Sequence, residues 1–250
     1  ALHRHLASIT GTGHLAGERN AAFSVGADEL ERVLDRRPAI VFFCSPNNPT
    51  GNAEDRPLVL DAVTRVGEWG GLVVVDEAYG QFCSWTALDL VRPDHNLAVC
   101  RTFSKTWAMA GARLGYLVGP DWLVAELEKV VLPYHLDAVT QAAGLLALEH
   151  TEAMEARVAR LVESRGDLQD QLHQLDLDVW PSEANFILFR PRRRNAAAVW
   201  QGLVDRSVLV RDCSSWPRLE GCLRVTVGSP AENDRFLTAL RAVLESPEAS

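Results

Sequence analysis

The chain has 250 residues, 47% of them hydrophobic, which is enough for one large domain or two smaller ones. Acidic side chains outnumber basic ones by 33 to 25, an unfavourable balance for a nucleic-acid binder. The one basic cluster, Arg192-Arg193-Arg194, is short enough to be a solvated loop. No apolar run is long enough to span a bilayer and no signal peptide is read at the start, so neither a membrane nor a secreted location is expected. Five cysteines stand singly, without a C-x-x-C pair, and their odd number and scatter argue against a disulfide framework or a zinc site and fit a reducing cytosol.

Ala1-Leu2-His3-Arg4-His5-Leu6 reads as the middle of a helix, with neither an initiating Met nor a cap, so the numbering is expected to begin inside a longer protein. Gly11-Thr12-Gly13-His14-Leu15-Ala16-Gly17 is read as a turn, because its third glycine is one place too far along for a dinucleotide fingerprint. Asp28 is expected to cap a helix carrying Leu30, Val33 and Leu34 that closes at Pro38. Ala39–Cys44 is a continuous apolar run, as in a strand covered on both faces, and it empties into Ser45-Pro46-Asn47-Asn48-Pro49-Thr50-Gly51. A helix follows, with Leu58, Leu60, Val63 and Val66. A second buried strand, Leu72–Val75, ends in Asp76-Glu77-Ala78-Tyr79, and a third, Leu97–Cys100, runs into Arg101-Thr102-Phe103-Ser104-Lys105. A fourth is expected over Leu114–Val118.

This alternation predicts a mostly parallel α/β sheet with flanking helices, whose carboxyl strand ends line a ligand crevice. Asn48, Asp76 with Tyr79, and Thr102 with Ser104 and Lys105 fall at such ends. One long helical region is expected from Thr140 to Leu175, with Met154, Val158, Leu161, Leu168, Leu172 and Leu175 on one stripe. Short strands are expected over Asn185–Phe189, Val208–Arg211 and Leu223–Val227, and a Ser229–Glu232 capping box opens a last helix. Residues 1–145 should therefore form a large domain and 146–250 a smaller α+β domain that includes the connecting helix. In the strand at Arg224, Leu223, Val225 and Val227 face one side and present Arg224 on the other.

Of 25 basic side chains only Lys105 and Lys129 are lysines, so a primary amine has been placed where arginine serves elsewhere. Guanidinium does not deprotonate in proteins, whereas a lysine amine does and condenses with carbonyls and with pyridoxal phosphate. The other strand-end residues supply what that cofactor needs. Asp76 offers a carboxylate for the pyridine nitrogen, Asn48 and Tyr79 offer donors for the ring oxygen, and Thr102, Ser104 and Arg113 offer hydroxyls and a cation for the phosphate. Arg113 would lie two turns beyond Lys105 if that segment is helical.

Asn48-Pro49-Thr50-Gly51, Asp76-Glu77-Ala78-Tyr79 and Ser104-Lys105 with Arg113 resemble the class I/II aminotransferases of the fold-type-I pyridoxal phosphate enzymes. The resemblance implies that fold's large domain, incomplete at its front, plus a small C-terminal domain in a homodimer. It makes Lys105 the covalent anchor of the cofactor and Asp76 the partner of its pyridine nitrogen, with Tyr79 and Asn48 on the ring oxygen. Thr102, Ser104 and Arg113 hold the phosphate, and Arg224 binds the acidic group of the substrate. In that family a segment before Ala1 supplies a Gly-rich phosphate-binding turn, an aromatic ring over the pyridine and tyrosines for the neighbouring subunit's site.

Leu132-Pro133-Tyr134-His135-Leu136 with Gln141, the Asn185-Phe186 strand, and Val210-Arg211-Asp212 ahead of Arg224 are similar to the subgroup that transaminates histidinol phosphate with 2-oxoglutarate/glutamate in histidine biosynthesis. That resemblance adds Arg211, Asn48 and Asn185 as substrate contacts. Two guanidinium groups suit a dianionic phosphate; the other reading of Arg211 is a salt bridge with Asp212 or another carboxylate. Rivals are an aromatic amino-acid aminotransferase, a threonine-phosphate decarboxylase of the same fold, and, from another class, a catalytically inactive fragment or a ligand-sensing aminotransferase-like module. A magnesium-dependent nucleotide hydrolase using Asp76-Glu77 would want a phosphate loop, and no G-x-x-x-x-G-K-[ST] occurs.

Overall fold

The computed structural model describes residues 2–246; Ala1, at the head of the expected opening helix, and residues 247–250 lie outside them. The chain divides into two compact units, one comprising residues up to Ser45, Ala53–Gly80 and Trp85–Glu149, the other Pro46–Asn52, Gln81–Ser84 and the chain from His150 onward.

The first unit opens with α1 (Leu2–Ile9) and α2 (Ala27–Leu34) and alternates β1 (Ile40–Cys44), α3 (Arg56–Glu68), β2 (Leu72–Asp76) and β3 (Leu97–Thr102) before β4 (Gly115–Val118), α4 (Asp121–Glu128) and α5 (Ala138–Leu148). The strand order is β1-β2-β3-β4. β1 and β3 both run parallel to β2, and α3 makes the crossover from β1 to β2 that parallel neighbours require. β4 runs antiparallel to β3, so it returns the chain and contributes no carboxyl end beside the other three.

Side chains alternate faces along each strand. Val41, Phe43, Val73, Val75 and Val99 pack under α2 and α3, against Leu34, Val59 and Val63. On the opposite face, Val74 and Ala98 meet Leu123 of α4. That second layer does not extend over β1, where Ile40 is 50% and Phe42 45% exposed. Among the described residues β1 therefore stands at the end of the strand order and is covered on one face, where the apolar run at 39–44 predicted cover on both. The expected cap of α2 also moves, since Gly26 occupies the N-cap and Asp28 sits in the first turn.

The second unit contains α6 (Thr151–His173), β5 (Leu177–Val179), β6 (Phe186–Pro191), α7 (Ala196–Val204), β7 (Arg211–Asp212), β8 (Leu223–Thr226) and α8 (Pro230–Glu245). Its sheet has the order β5-β6-β8-β7 and every pairing is antiparallel. Leu168, Leu172, Ile187, Phe189, Leu223 and Leu240 fill the core between sheet and helices. The single helix expected from Thr140 to Leu175 is two, α5 and α6, separated at Glu149–His150, and His150 has left helical dihedrals. The strand expected over Val208–Arg211 shrinks to Arg211–Asp212, and β5 was not anticipated. The expected capping box is present: the Ser229 amide donates to Glu232 Oε2 at 2.8 Å, and the Glu232 amide donates to Ser229 Oγ.

Gly51 fixes the turn of this unit's first segment. Its φ is +83°, and a Cβ placed there would lie 2.7 Å from Ser182 Cβ. Ser182 is itself held, donating to Phe186 O at 2.5 Å. Gly51→Ala combines left-handed strain with a clash, so it is expected to cost at least about 1 kcal/mol. Urea denaturation of the variant should show a lower midpoint with the slope unchanged.

The same unit carries a pH-sensitive pair of ion pairs. Arg192 Nε and Arg190 Nη2 donate to the two oxygens of Asp178 at 2.9 and 2.8 Å, and these bonds hold its carboxyl below the ordinary 3.8. A depressed folded-state value means the contribution is full above the unfolded value and is lost as pH falls through the folded one. Asp178→Asn should therefore unfold with a shallower dependence on pH below about 4 than the parent protein, read by fluorescence-monitored denaturation across an acid series.

Candidate active site

Three carboxyl strand ends of the first unit lie side by side, because Cys44 is the register partner of Asp76 and Asp76 that of Cys100. Asp76 closes β2 with one third of its side chain exposed, and its Oδ1 accepts from the Ala78 amide at 3.0 Å. That bond turns the chain sharply, and Tyr79 follows, buried. Lys105 sits in the turn after β3, exposed, with Nζ 5.2 Å from the centroid of the Tyr79 ring. The hydroxyls of Thr102 and Ser104 are 2.9 Å apart, and the Ser104 amide donates to Thr102 Oγ1 at 3.0 Å. Lys105 with Tyr79, and Thr102 with Ser104, are thus brought together as the sequence anticipates.

Arg113 is different. The segment after Lys105 is not helical; its only regular piece is the 3-10 turn Ala110–Ala112, after which Arg113 adopts φ +54°. Its exposed guanidinium donates to Ala110 O at 3.1 Å. The two-turn helical spacing from Lys105 is therefore replaced by a compact loop, in which the Met109 amide donates to Phe103 O.

In the second unit Arg224 is positioned by the alternation along β8: Leu223, Val225 and Val227 are buried, and the guanidinium carbon of Arg224 lies 4.6 Å from the Phe186 ring centroid. Its Nη1 donates to Asn48 Oδ1. Among the described residues its Nε, which is buried, finds no hydrogen-bond partner. Arg211 is the direct cross-strand partner of Arg224. Like charges placed opposite each other repel, and among the described residues no carboxylate forms an ion pair with Arg211. Asn185 precedes β6 and accepts from the Val227 amide through its carbonyl. Tyr134, in the expected signature loop, is 99% exposed.

The roles of two residues escaped the reading of the sequence. His3 of α1 stacks on Phe42, ring centroids 4.4 Å apart, with Nε2 4.0 Å from Asp76 Oδ2. Burial pushes its ring below the ordinary 6.5 against the opposing pull of Asp76. Glu77, next to Asp76, is buried and accepts from Arg101, Thr86 and the Ala87 amide. No local pattern places His3 beside Asp76, and the motif that contains Glu77 does not announce its partners Arg101, Thr86 and Ala87; the fold supplies both.

Residues 14–240 match the model of the family described as Aminotransferase class I and II. The chain belongs to that family. Among aminotransferases it is 42% identical over 249 residues to a histidinol-phosphate aminotransferase of Frankia casuarinae, covering 98% of this chain and 62% of that protein. It is 40% identical over 254 residues to a histidinol-phosphate aminotransferase of Streptomyces avermitilis, covering 100% of this chain and 67% of the relative. This aminotransferase chain thus spans roughly two thirds or less of the curated relatives' length. Its fold is that of the crystal structure of histidinol-phosphate aminotransferase from Sinorhizobium meliloti in complex with pyridoxal-5'-phosphate. The TM-score is 0.83 at 22% identity, covering 96% of this chain and 67% of that one.

Proposed function

We propose that the chain is the larger part of a pyridoxal phosphate-dependent aminotransferase that exchanges an amino group between histidinol phosphate and 2-oxoglutarate/glutamate, as in histidine biosynthesis. The observation that carries the substrate is the arginine pair across β7 and β8, with the Nε of Arg224 buried and unpaired. Two forked cations without carboxylate partners suit a dianionic phosphate better than a single carboxylate. The 40–42% identity to proteins of that name supports the same reading.

The donor set at the strand ends fits the cofactor: an exposed primary amine, a half-buried carboxylate, a phenol and two adjacent hydroxyls. Lys105 would anchor it, and Asp76 would hold the proton on its pyridine nitrogen. Tyr79 and Asn48 would donate to its ring oxygen, and Thr102, Ser104 and Arg113 would hold its phosphate. Bound there, pyridoxal phosphate supplies an electron sink for the carbon that loses its proton. Lys105 Nζ would be the base that takes that proton from the substrate carbon and the acid that returns it. Arg211 and Arg224 orient the phosphate end, and Asn185 contacts the substrate.

A homodimer is part of this proposal. Val130, Leu132, Val139, Leu145 and Leu146 are exposed apolar side chains within a short stretch, more than an isolated monomer usually shows. A cytoplasmic location is also part of it, and among the described residues no helix is long and apolar enough to cross a membrane.

Kinetic comparison of histidinol phosphate, phenylalanine and threonine phosphate tests the substrate. Histidinol phosphate should give the highest kcat/KM. Preference for phenylalanine, or release of carbon dioxide from threonine phosphate, overturns the assignment. A hydrogen bond to a charged group contributes roughly 1.5–3 kcal/mol, so Arg211→Ala should raise KM for histidinol phosphate about tenfold or more, and Arg224→Ala further. An unchanged KM in Arg211→Ala would remove the two-arginine argument.

A further inference from the structure

Cys44 and Asp76 end adjacent parallel strands as register partners, so their side chains leave the sheet on the same face. That is the face α4 leaves uncovered at β1, and His3 of α1 lies over it. The imidazole is fixed by its stack on Phe42 and points one nitrogen at each neighbour: Nδ1 is 3.9 Å from Cys44 Sγ, and Nε2 is 4.0 Å from Asp76 Oδ2. One donor atom from each of the three residues falls within 4.8 Å of the other two. All three belong to the first unit.

We propose that His3, Cys44 and Asp76 form a binding site for a borderline-soft divalent ion of the zinc class, and that its occupancy excludes the cofactor by taking the Asp76 carboxylate. The donor set is the argument. Imidazole nitrogen, thiolate sulfur and carboxylate oxygen are the three ligand types zinc takes from proteins, and three protein ligands leave a fourth position for water. Zinc–ligand bonds of about 2.0–2.3 Å at tetrahedral angles put donors about 3.3–3.6 Å apart, and with one imidazole nitrogen taken as the ligand the separations, none above 4.8 Å, close by at most about 1.5 Å on binding. Hard ions such as magnesium and calcium want oxygen ligands and are not served by this set.

Burial, with the charge of Asp76 beside it, pushes the Cys44 thiol up to about 11, so without a metal it stays protonated and unreactive. Burial pushes the His3 ring below its ordinary 6.5 against the opposing pull of Asp76. On binding, the Cys44 S–H proton passes to the buffer, the sulfur gives its electron pair to the metal, and the neutral His3 nitrogen coordinates without losing a proton. Metal affinity should therefore rise with pH.

The exclusion rests on the role proposed above for Asp76; the metal binding does not. The test uses the full-length protein, prepared with and without pyridoxal phosphate and titrated with zinc chloride and with cobalt(II) chloride. Without cofactor, one equivalent of zinc should bind, and cobalt should show a thiolate charge-transfer band. Cys44→Ser should abolish that band, and Cys44→Ser and His3→Phe, which keeps the ring stack, should each weaken zinc about tenfold or more. Added pyridoxal phosphate should release the zinc. Absence of binding, or one-equivalent binding that both variants leave unchanged, overturns the site. Zinc retained at saturating cofactor overturns the exclusion alone. Lys105→Ala, on which transamination depends, should bind zinc as the parent does, so failure of the proposed reaction and failure of the metal site give different results.

Discussion

Lys105→Ala is expected to abolish covalent labelling by pyridoxal phosphate and to lower transamination on the order of 10³-fold or more, the scale seen when a catalytic nucleophile is removed. The chain holds one other lysine, Lys129, which is exposed on the last turn of α4 and paired with Glu126 at i, i+3. An amine so engaged is a poor substitute, and in the alanine variant it is the one lysine left in the sequence. Borohydride reduction of the loaded protein, followed by peptide mass analysis, should place the added mass on the Lys105 peptide alone. Label on Lys129, or unchanged labelling of the variant, would refute the assignment. The exposure of Lys105 matters to this expectation, because an incoming aldehyde must reach Nζ. The hydroxyl pair of Thr102 and Ser104 just before it is expected to survive the substitution, since its bonds do not involve residue 105.

Glu77→Ala should be the most destabilising single change in the first unit. Glu77 is 4% exposed, and its Oε2 accepts from Arg101 Nη2 at 2.8 Å, from Arg101 Nε at 3.0 Å and from Thr86 Oγ1 at 2.8 Å. Its Oε1 takes the Ala87 amide at 2.5 Å. Removing the carboxylate strands a guanidinium that is itself only 12% exposed and orphans a buried amide. Breaking a buried pair from one side costs about 3–5 kcal/mol, and at this chain length that is a fall in Tm of roughly 10 °C. Replacing both partners, Glu77→Leu with Arg101→Met, should recover much of the loss, because no charge is then left buried alone. Calorimetry of the three variants decides it: a Tm within experimental error of the parent in Glu77→Ala would show that water replaces the carboxylate. The network also ties the turn after Asp76 to β3, so Asp76 owes its setting to a neighbour with no part in the proposed chemistry.

The strand ends carrying Asp76 and Lys105, the alternation that presents Arg224, and the Ser229–Glu232 cap were all legible in the sequence. Each is set by residues within a turn or a strand of one another: apolar periodicity and short-range hydrogen bonds act locally. Composition likewise established that two compact layers could be filled. The direction of β4, the half-covered face of β1, the break between α5 and α6, and the left-handed turn at Arg113 were decided by packing. The same holds for His3 beside Cys44 and Asp76, which single cysteines without metal-binding spacing gave no reason to expect, and for Asn48 on Arg224, 176 residues apart in the chain. A contact across such a separation leaves no period to read, because its energy is realised only after the sheets have closed.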